Sequence, residues 1–488
     1  MRETTDRALE TARQSGATYA DIRIVRSERQ ALVVKNGVVQ DLTQDESFGF
    51  GVRVIADGAW GFASSNRLTT DEIDRVAALA VRIAKASARA NTEPVDLGPP
   101  EVHVDRYTTP IEIDPFTVSL EQKIDLLLEA DKEARAVPGV LIAMPRMNFL
   151  KREKTFASTE GSFIEQTIYE SAVGLRTNAV AEGEMQQRSY PNMFGAQQET
   201  GGYEVIDKWD IVGNARRVGE EVVALLKAPQ CPSRKTTVIL GGSQLALQVH
   251  ESCGHPIELD RVYGTEAAYA GTSFLTPEKY GTFAYGSPVV NIVADAVTPG
   301  GLGTYGYDDE GVPAQSTQIV KDGRFVGYLT SRETASQLRK VHSDAPERSN
   351  GAMRASDWNR MPIIRMNNVS LMPGEWTLDD LIADTEDGIY MTMNKSWSID
   401  DKRLNFQFGT ELAYEIKNGK LGQMYKNPTY TGITPQFWAG CDAICNVDHW
   451  TVWGTPNCGK GQPGQTARVG HGTAPARFRD VQVGMIAG

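Results

Sequence analysis

Residues 236–260 read TTVILGGSQLALQVHESCGHPIELD, an apolar run and a glycine pair followed by two histidines around a glutamate. TTVIL has the β-branched, uninterrupted character of a buried strand. Ser243 sits where a helix N-cap is wanted, and Leu245, Leu247 and Val249 supply apolar surface for a short helix after it. His250 and Glu251 fall in the last turns of that helix. The familiar zinc pattern H-E-x-x-H places two imidazoles one turn apart; here the spacing is H-E-x-x-x-H. In an ideal α-helix, positions five apart are rotated by about 140°, against about 40° for positions four apart. An unbroken helix would therefore aim His250 and His255 away from each other. Gly254 and Pro256 offer a way out: a left-handed Gly254 would end the helix, and Pro256 would push His255 out of the α region. On that expectation the helix stops between the histidines and His255 swings back beside His250. Glu251 then stands next to a metal as a general base, without being a ligand. The competing explanation is two histidines at a helix terminus, where imidazolium suits the negative end of the dipole.

Further along the chain, strand and turn signals dominate. SPVVNIVADAV, STQIVKDGRFVGYL with its Asp322-Gly323 turn, GIYMTMNKSWSID and NFQFGTELAYEIKNGKLGQMY with Asn418-Gly419 predict many hairpins within about 250 residues. The expectation is a large curved or barrel-like sheet carrying the histidine helix. Upstream, KAPQCPSRK (227–235) breaks all periodicity and marks the main boundary, between an N-terminal region 1–230 and a C-terminal region 231–488. The N-terminal region predicts helices near 4–14, 71–80, 120–136 and 205–226, with Thr70 as a cap. Between them run antiparallel strands turned at Asn36-Gly37, Asp57-Gly58 and Glu160-Gly161. A proline-rich connector near 91–115 is a possible further boundary. The fold class is therefore α+β: a helix-on-antiparallel-sheet domain followed by a β-rich, barrel-like domain.

Composition narrows the function. The chain has 62 acidic and 50 basic residues and a net charge of −12, which opposes attraction to phosphate backbones, so no nucleic-acid partner is expected. No apolar run approaches the roughly 18 residues of a membrane span, and the charged N-terminus lacks a signal-peptide core, so no membrane association and a cytoplasmic location are expected. Five cysteines in 488 residues form no disulfide framework.

A catalytic zinc usually takes three protein ligands and a water. Candidates for the third ligand are Cys458, His471, His449, Cys441, Cys445 and His342. Cys441, Cys445 and His449 are spaced by four and would share one face of a helix. Cys458, in the polar glycine-rich TPNCGKGQPGQ, has little packing reason to be there, and a thiolate ligand explains it better. Tyr305 and Tyr307 are conceivable oxyanion donors, though such segments are more often loops.

HESCGHPIELD, SPVVNIVAD, GGLGTYGYDDEGVPAQST, GYLTSRETA, RMPIIRMNNVSLMPGE and PNCGKGQ, in this order, resemble the TldD side of the TldD/PmbA peptidases, also called modulators of DNA gyrase. The similarity runs through nearly the whole chain. It implies a cytoplasmic zinc (Zn2+) metallopeptidase with His250, His255 and Cys458 as ligands and Glu251 as general base. It also implies a dimer, with a PmbA/TldE-like subunit as partner or as a homodimer. The implied substrates are unfolded polypeptides or peptides, including leader segments and small unstructured proteins, held as an added strand. Ser252 and Cys253 depart from the small apolar residues expected within the motif, and Cys253 is close enough to compete as a ligand. A zinc-containing adaptor that cuts no bond, and a tailoring hydrolase of modified peptides, are the other readings.

Overall fold

The computed structural model describes residues 1–484. One sheet of eight strands organises the N-terminal half. Its order is Ala59–Ser65, Val38–Ala56, Tyr19–Lys35, Val140–Ser158, Phe163–Ala181 and Val104–Thr108, with Glu184–Tyr190 and Gln197–Thr200 also paired to Phe163–Ala181. Asn36-Gly37 and Asp57-Gly58 both have positive φ (50° and 81°, 52° and 76°), as the tight hairpin turn requires. Two pairs of helices cover this sheet. Arg2–Gln14 and Thr70–Ser87 bury alanines and valines against Ile22, Val52 and Val54. Leu120–Arg135 and Ile211–Lys227 pack at the other end, around Leu127, Phe149, Val173 and Val218.

The helix boundaries follow local chemistry. Ser119 caps Leu120–Arg135 by accepting from Gln122 N–H. The helix expected from Thr70 is capped one residue earlier, at Thr69. The single helix expected near 205–226 is two, Glu204–Lys208 and Ile211–Lys227, because Asp210 takes φ 34° and its carboxylate caps the second by accepting from Gly213 N–H.

The C-terminal half contains a closed barrel of five strands, Asp387–Ile399, Arg234–Leu240, Ala476–Val483, Thr429–Ile433 and Asn405–Lys417, the last pairing back onto the first. Closure removes the exposed edges of an open sheet. Beside it lies a six-stranded sheet ending in the hairpin Thr451–Lys460 and Gln465–Thr473. The main core joins the two: Val238 and Leu240 of the barrel, Leu245, Leu247 and Val249 of the short helix, and the aromatic stack Phe406, Phe408, Tyr430, Phe437 and Phe478. The fold is thus α+β with a barrel in its C-terminal part.

The YGYDDEG segment clamps the two halves together. Asp309 takes Lys154 at 2.5 Å and Arg23 at 3.4 Å, and Glu310 takes Arg53 at 3.1 Å. Tyr307 donates to Asp105 at 2.6 Å, and Tyr305 to the Gly351 carbonyl at 2.6 Å. Both tyrosine hydroxyls considered as oxyanion donors are thus tied to protein acceptors.

Candidate metal centre

The helix Gly242–Val249 leaves the barrel strand Arg234–Leu240 with Gly241 as its N-cap, and every residue from Ser243 to Val249 is buried. Ser243 does not cap it. Its hydroxyl lies 2.5 Å from Asn192 Oδ1, tying the helix to the N-terminal half.

The helix expected to stop between the histidines does not stop there. It widens into a π turn over His250–Gly254, closed by His255 N–H donating to the His250 carbonyl. A bond from residue i to i+5 stacks positions five apart, as the α bond stacks positions four apart. The extra residue is absorbed by a wider turn rather than by a broken helix. Gly254 is right-handed (φ −57°, ψ −55°), and His255 also stays helical (φ −66°, ψ −42°) despite Pro256, which opens a short 3-10 turn over His255–Ile257. Glycine is needed at 254 for closeness: a Cβ there would lie 2.1 Å from Met366 Sδ. The two imidazoles meet edge to face, centroids 4.9 Å apart at 88°.

Cys458 arrives from the strand Thr451–Lys460 and not from a loop. It faces Ala467 across the hairpin, just after a register shift at Pro456-Asn457, the kind of bulge that re-aims a side chain. Its thiol lies 3.6 Å from His255 Nε2. His250, His255 and Cys458 form, among the described residues, the one group of three or more candidate ligands with donor atoms within 4.8 Å of one another, and all three are buried.

Outer hydrogen bonds set the tautomers. His471 Nδ1–H donates to the Val369 carbonyl at 2.8 Å, so His471 Nε2 is an acceptor; it takes His250 Nδ1–H, also at 2.8 Å. The lone pair of His250 is then on Nε2. His255 Nδ1–H donates to Glu258 at 2.9 Å, which leaves its Nε2 lone pair facing Cys458. Glu258 is itself wholly buried beside Lys460 (3.6 Å) and Arg365 (3.8 Å). Burial holds His250 below its ordinary value and, with His250 beside it, His471 well below. Burial also holds His255 well below the usual histidine range, outweighing the opposing pull of Cys458. All three rings are therefore neutral near pH 7. Burial raises the Cys458 thiol, His255 and Arg365 oppose it, and the net shift is downward; with the His255 ring neutral, the lasting positive charge acting on the thiol is that of Arg365.

Glu251 projects from the same turn and pairs with Arg403, 152 residues away and held at φ 64°. No local pattern pointed to Arg403. Glu258, by contrast, stands three residues after His255, a spacing that brings side chains together on one helical face.

The other candidates lie elsewhere. Cys441 is in a strand and Cys445 just beyond it, both in apolar cores, and His449 accepts from Leu378 N–H at 3.2 Å. The helical face expected for this trio does not form. His342 donates to the Pro277 carbonyl. Cys253 is buried, and burial pushes it up to about 12, unsuited to a thiolate ligand. His471 stands behind His250 and is not one of the three clustered donors.

Comparisons with known proteins identify the family. Residues 233–485 match the PmbA/TldA metallopeptidase C-terminal domain, residues 20–84 its domain 1 and residues 113–228 its central domain. The chain is 30% identical to a metalloprotease of Methanocaldococcus jannaschii, covering 93% of this chain and 94% of that one. It is 22% identical to a zinc metalloprotease TldD homolog of Saccharolobus solfataricus, over 98% of each. The crystal structure of TldE from Thermococcus kodakarensis has the same fold, with a TM-score of 0.74 at 15% identity over 98% of this chain and 99% of that one. The protein belongs to the PmbA/TldD family of metallopeptidases.

Proposed function

We propose that the protein is a zinc-dependent peptidase in which His250, His255 and Cys458 hold the metal and Glu251 is the general base. The observation that carries this reading is the buried donor triad with Glu251 adjoining it. Two neutral imidazoles and a thiol shifted toward thiolate suit zinc, and three protein ligands leave a position open, as in catalytic rather than structural sites. When bound, zinc supplies Lewis acidity that makes water a nucleophile near neutral pH and polarises a carbonyl. The remaining work falls to the chain. Glu251 takes the proton of the attacking water and returns it to the leaving amine, while Arg403 holds the Oε2 edge of its carboxylate. Glu258 and His471 keep the rings of His255 and His250 in their productive tautomers.

The proposed substrates are unfolded polypeptides or peptides, a class in keeping with the metalloprotease relatives. The likeness to TldE over the whole chain supports a dimer with a PmbA/TldE-like subunit, a homodimer being the alternative. No helix is long and apolar enough to cross a membrane, and a cytoplasmic location suits five cysteines that are all free. Metal analysis combined with cleavage of unfolded polypeptides tests the reading. About one zinc per chain is expected, retained in Glu251→Ala while cleavage disappears, and lost in Cys458→Ala. Cleavage by Glu251→Ala at the wild-type rate would overturn the general-base assignment.

A further inference from the structure

A cavity of about 70 Å³ lies between the N-terminal sheet and the hairpin that carries Cys458. One water occupies about 10–15 Å³ on this scale, so there is room for several waters or for the polar end of one side chain. Five cationic and three anionic side chains line it, in a chain whose net charge is −12. Three of the cations are already paired: Arg23 and Lys154 share Asp309, and Arg468 lies 2.8 Å from Glu170.

Arg152 and Arg354 are different. Neither forms an ion pair among the described residues, and both are held by neutral oxygens. Arg152 donates to Ser27 Oγ at 3.3 Å and to the Ser356 carbonyl at 3.2 Å. Arg354 donates to the Met366 carbonyl, and its Nε has no partner. A guanidinium withdrawn from bulk water without a counter-ion is costly, and its fork of donors matches a carboxylate. Burial and the charge of Arg468 push Arg152 down to about 10, outweighing the opposing pull of Glu170 and Asp357, neither of which pairs with it.

The cavity adjoins the metal centre. Ala467 on its wall is paired directly with Cys458, and such cross-strand partners share one face of the sheet. The Met366 that accepts from Arg354 is the residue packed on Gly254 in the π turn.

We propose that this cavity is a subsite for a carboxylate of the substrate peptide, received by Arg152 and Arg354. The assignment of that carboxylate to a substrate rests on the peptidase reading; the carboxylate site itself does not. A side-chain carboxylate and a chain terminus share this chemistry, and the test separates them.

The test uses the full chain carrying Glu251→Gln and four fluorescein-labelled, unstructured ten-residue peptides. These carry a central Glu-Glu or Gln-Gln pair, each with a free or an amidated C-terminus, and binding is read by fluorescence anisotropy at low and high salt. At least one carboxylate-bearing peptide is expected to bind tenfold or more tightly than the amidated Gln peptide, with the advantage shrinking as salt rises. A preference following Glu over Gln assigns a side chain; one following free over amidated ends assigns the terminus. Arg152→Gln and Arg354→Gln, each checked by thermal melt, are expected to lose the preference. Binding of all four peptides within twofold overturns the proposal, as does a preference that survives in both variants. Should a variant not fold, phenylglyoxal labelling read by mass spectrometry decides: the favoured peptide should protect Arg152 and Arg354, and equal labelling with and without it overturns the site. A binding preference in a protein whose wild type cleaves nothing would sink the peptidase reading alone, and cleavage without preference would sink the subsite alone.

Discussion

Two buried polar clusters in this molecule invite comparison, the YGYDDEG clamp and the histidine turn. In the clamp Asp309 meets Arg23 and Lys154, Arg53 lies between Asp21 at 2.7 Å and Glu310 at 3.1 Å, and Asp308 accepts from the backbone N–H groups of Glu310, Val312 and Met353. At the histidine turn the outer atoms are just as well satisfied, with His250 on His471 and His255 on Glu258, but the inner Nε2 atoms converge on Cys458. A closed cluster holds the halves of the protein together. An equally buried cluster whose donor atoms converge is the arrangement the proposed metal site requires. The difference lies in where the lone pairs point: at opposite charges and backbone N–H groups in the clamp, at one another's donor atoms in the triad.

The largest expected effect comes from removing the proton acceptor. Glu251→Gln should slow cleavage of an unfolded polypeptide by about 10²–10⁴-fold while metal content, measured by atomic absorption, stays at the wild-type level. A clamp variant should do the reverse. Arg53→Met leaves Asp21 and Glu310 buried without their cation and should destabilise the fold by about 3–5 kcal/mol, read as a lower denaturant midpoint, with zinc stoichiometry intact in the folded fraction.

A smaller effect is expected where an outer partner of the open cluster is changed. His471→Phe removes the acceptor that orients His250 and should weaken zinc affinity by about 10–100-fold in competition with a chromogenic chelator. Unchanged affinity would mean that the His250 tautomer needs no help. The smallest effect belongs to a cysteine outside both clusters. Cys445→Ala should cost about 1 kcal/mol in thermal unfolding and leave metal content unchanged; a loss of zinc would show that the metal reaches beyond the triad.

Much of the local architecture was legible in the chain. The turns at Asn36-Gly37, Asp57-Gly58, Asp322-Gly323 and Asn418-Gly419 all form with positive φ at both residues, because the steric demand of a tight turn is met within two residues. The helices at 2–14, 70–87 and 120–135 follow their apolar stripes. Where a local rule met a tertiary contact, the contact prevailed. Ser243 turned from capping to Asn192, and Gly254, right-handed rather than left-handed, serves the close approach of Met366 instead of ending the helix. The four-residue spacing of Cys441, Cys445 and His449 suggested a helix, but pairing with Ala476–Val483 makes that segment a strand.

By itself the sequence determined that His250, Glu251 and His255 share a short segment after a buried strand, because identity and spacing are properties of contiguous residues. Only the tertiary structure decided how they are used. Met366 packs against the π turn at Gly254, the tautomers rest on Glu258 and on His471, 221 residues from His250, and the hold on Glu251 on Arg403. Such contacts carry no local signature, since hydrogen bonds between distant residues exist only after barrel closure has brought their strands together.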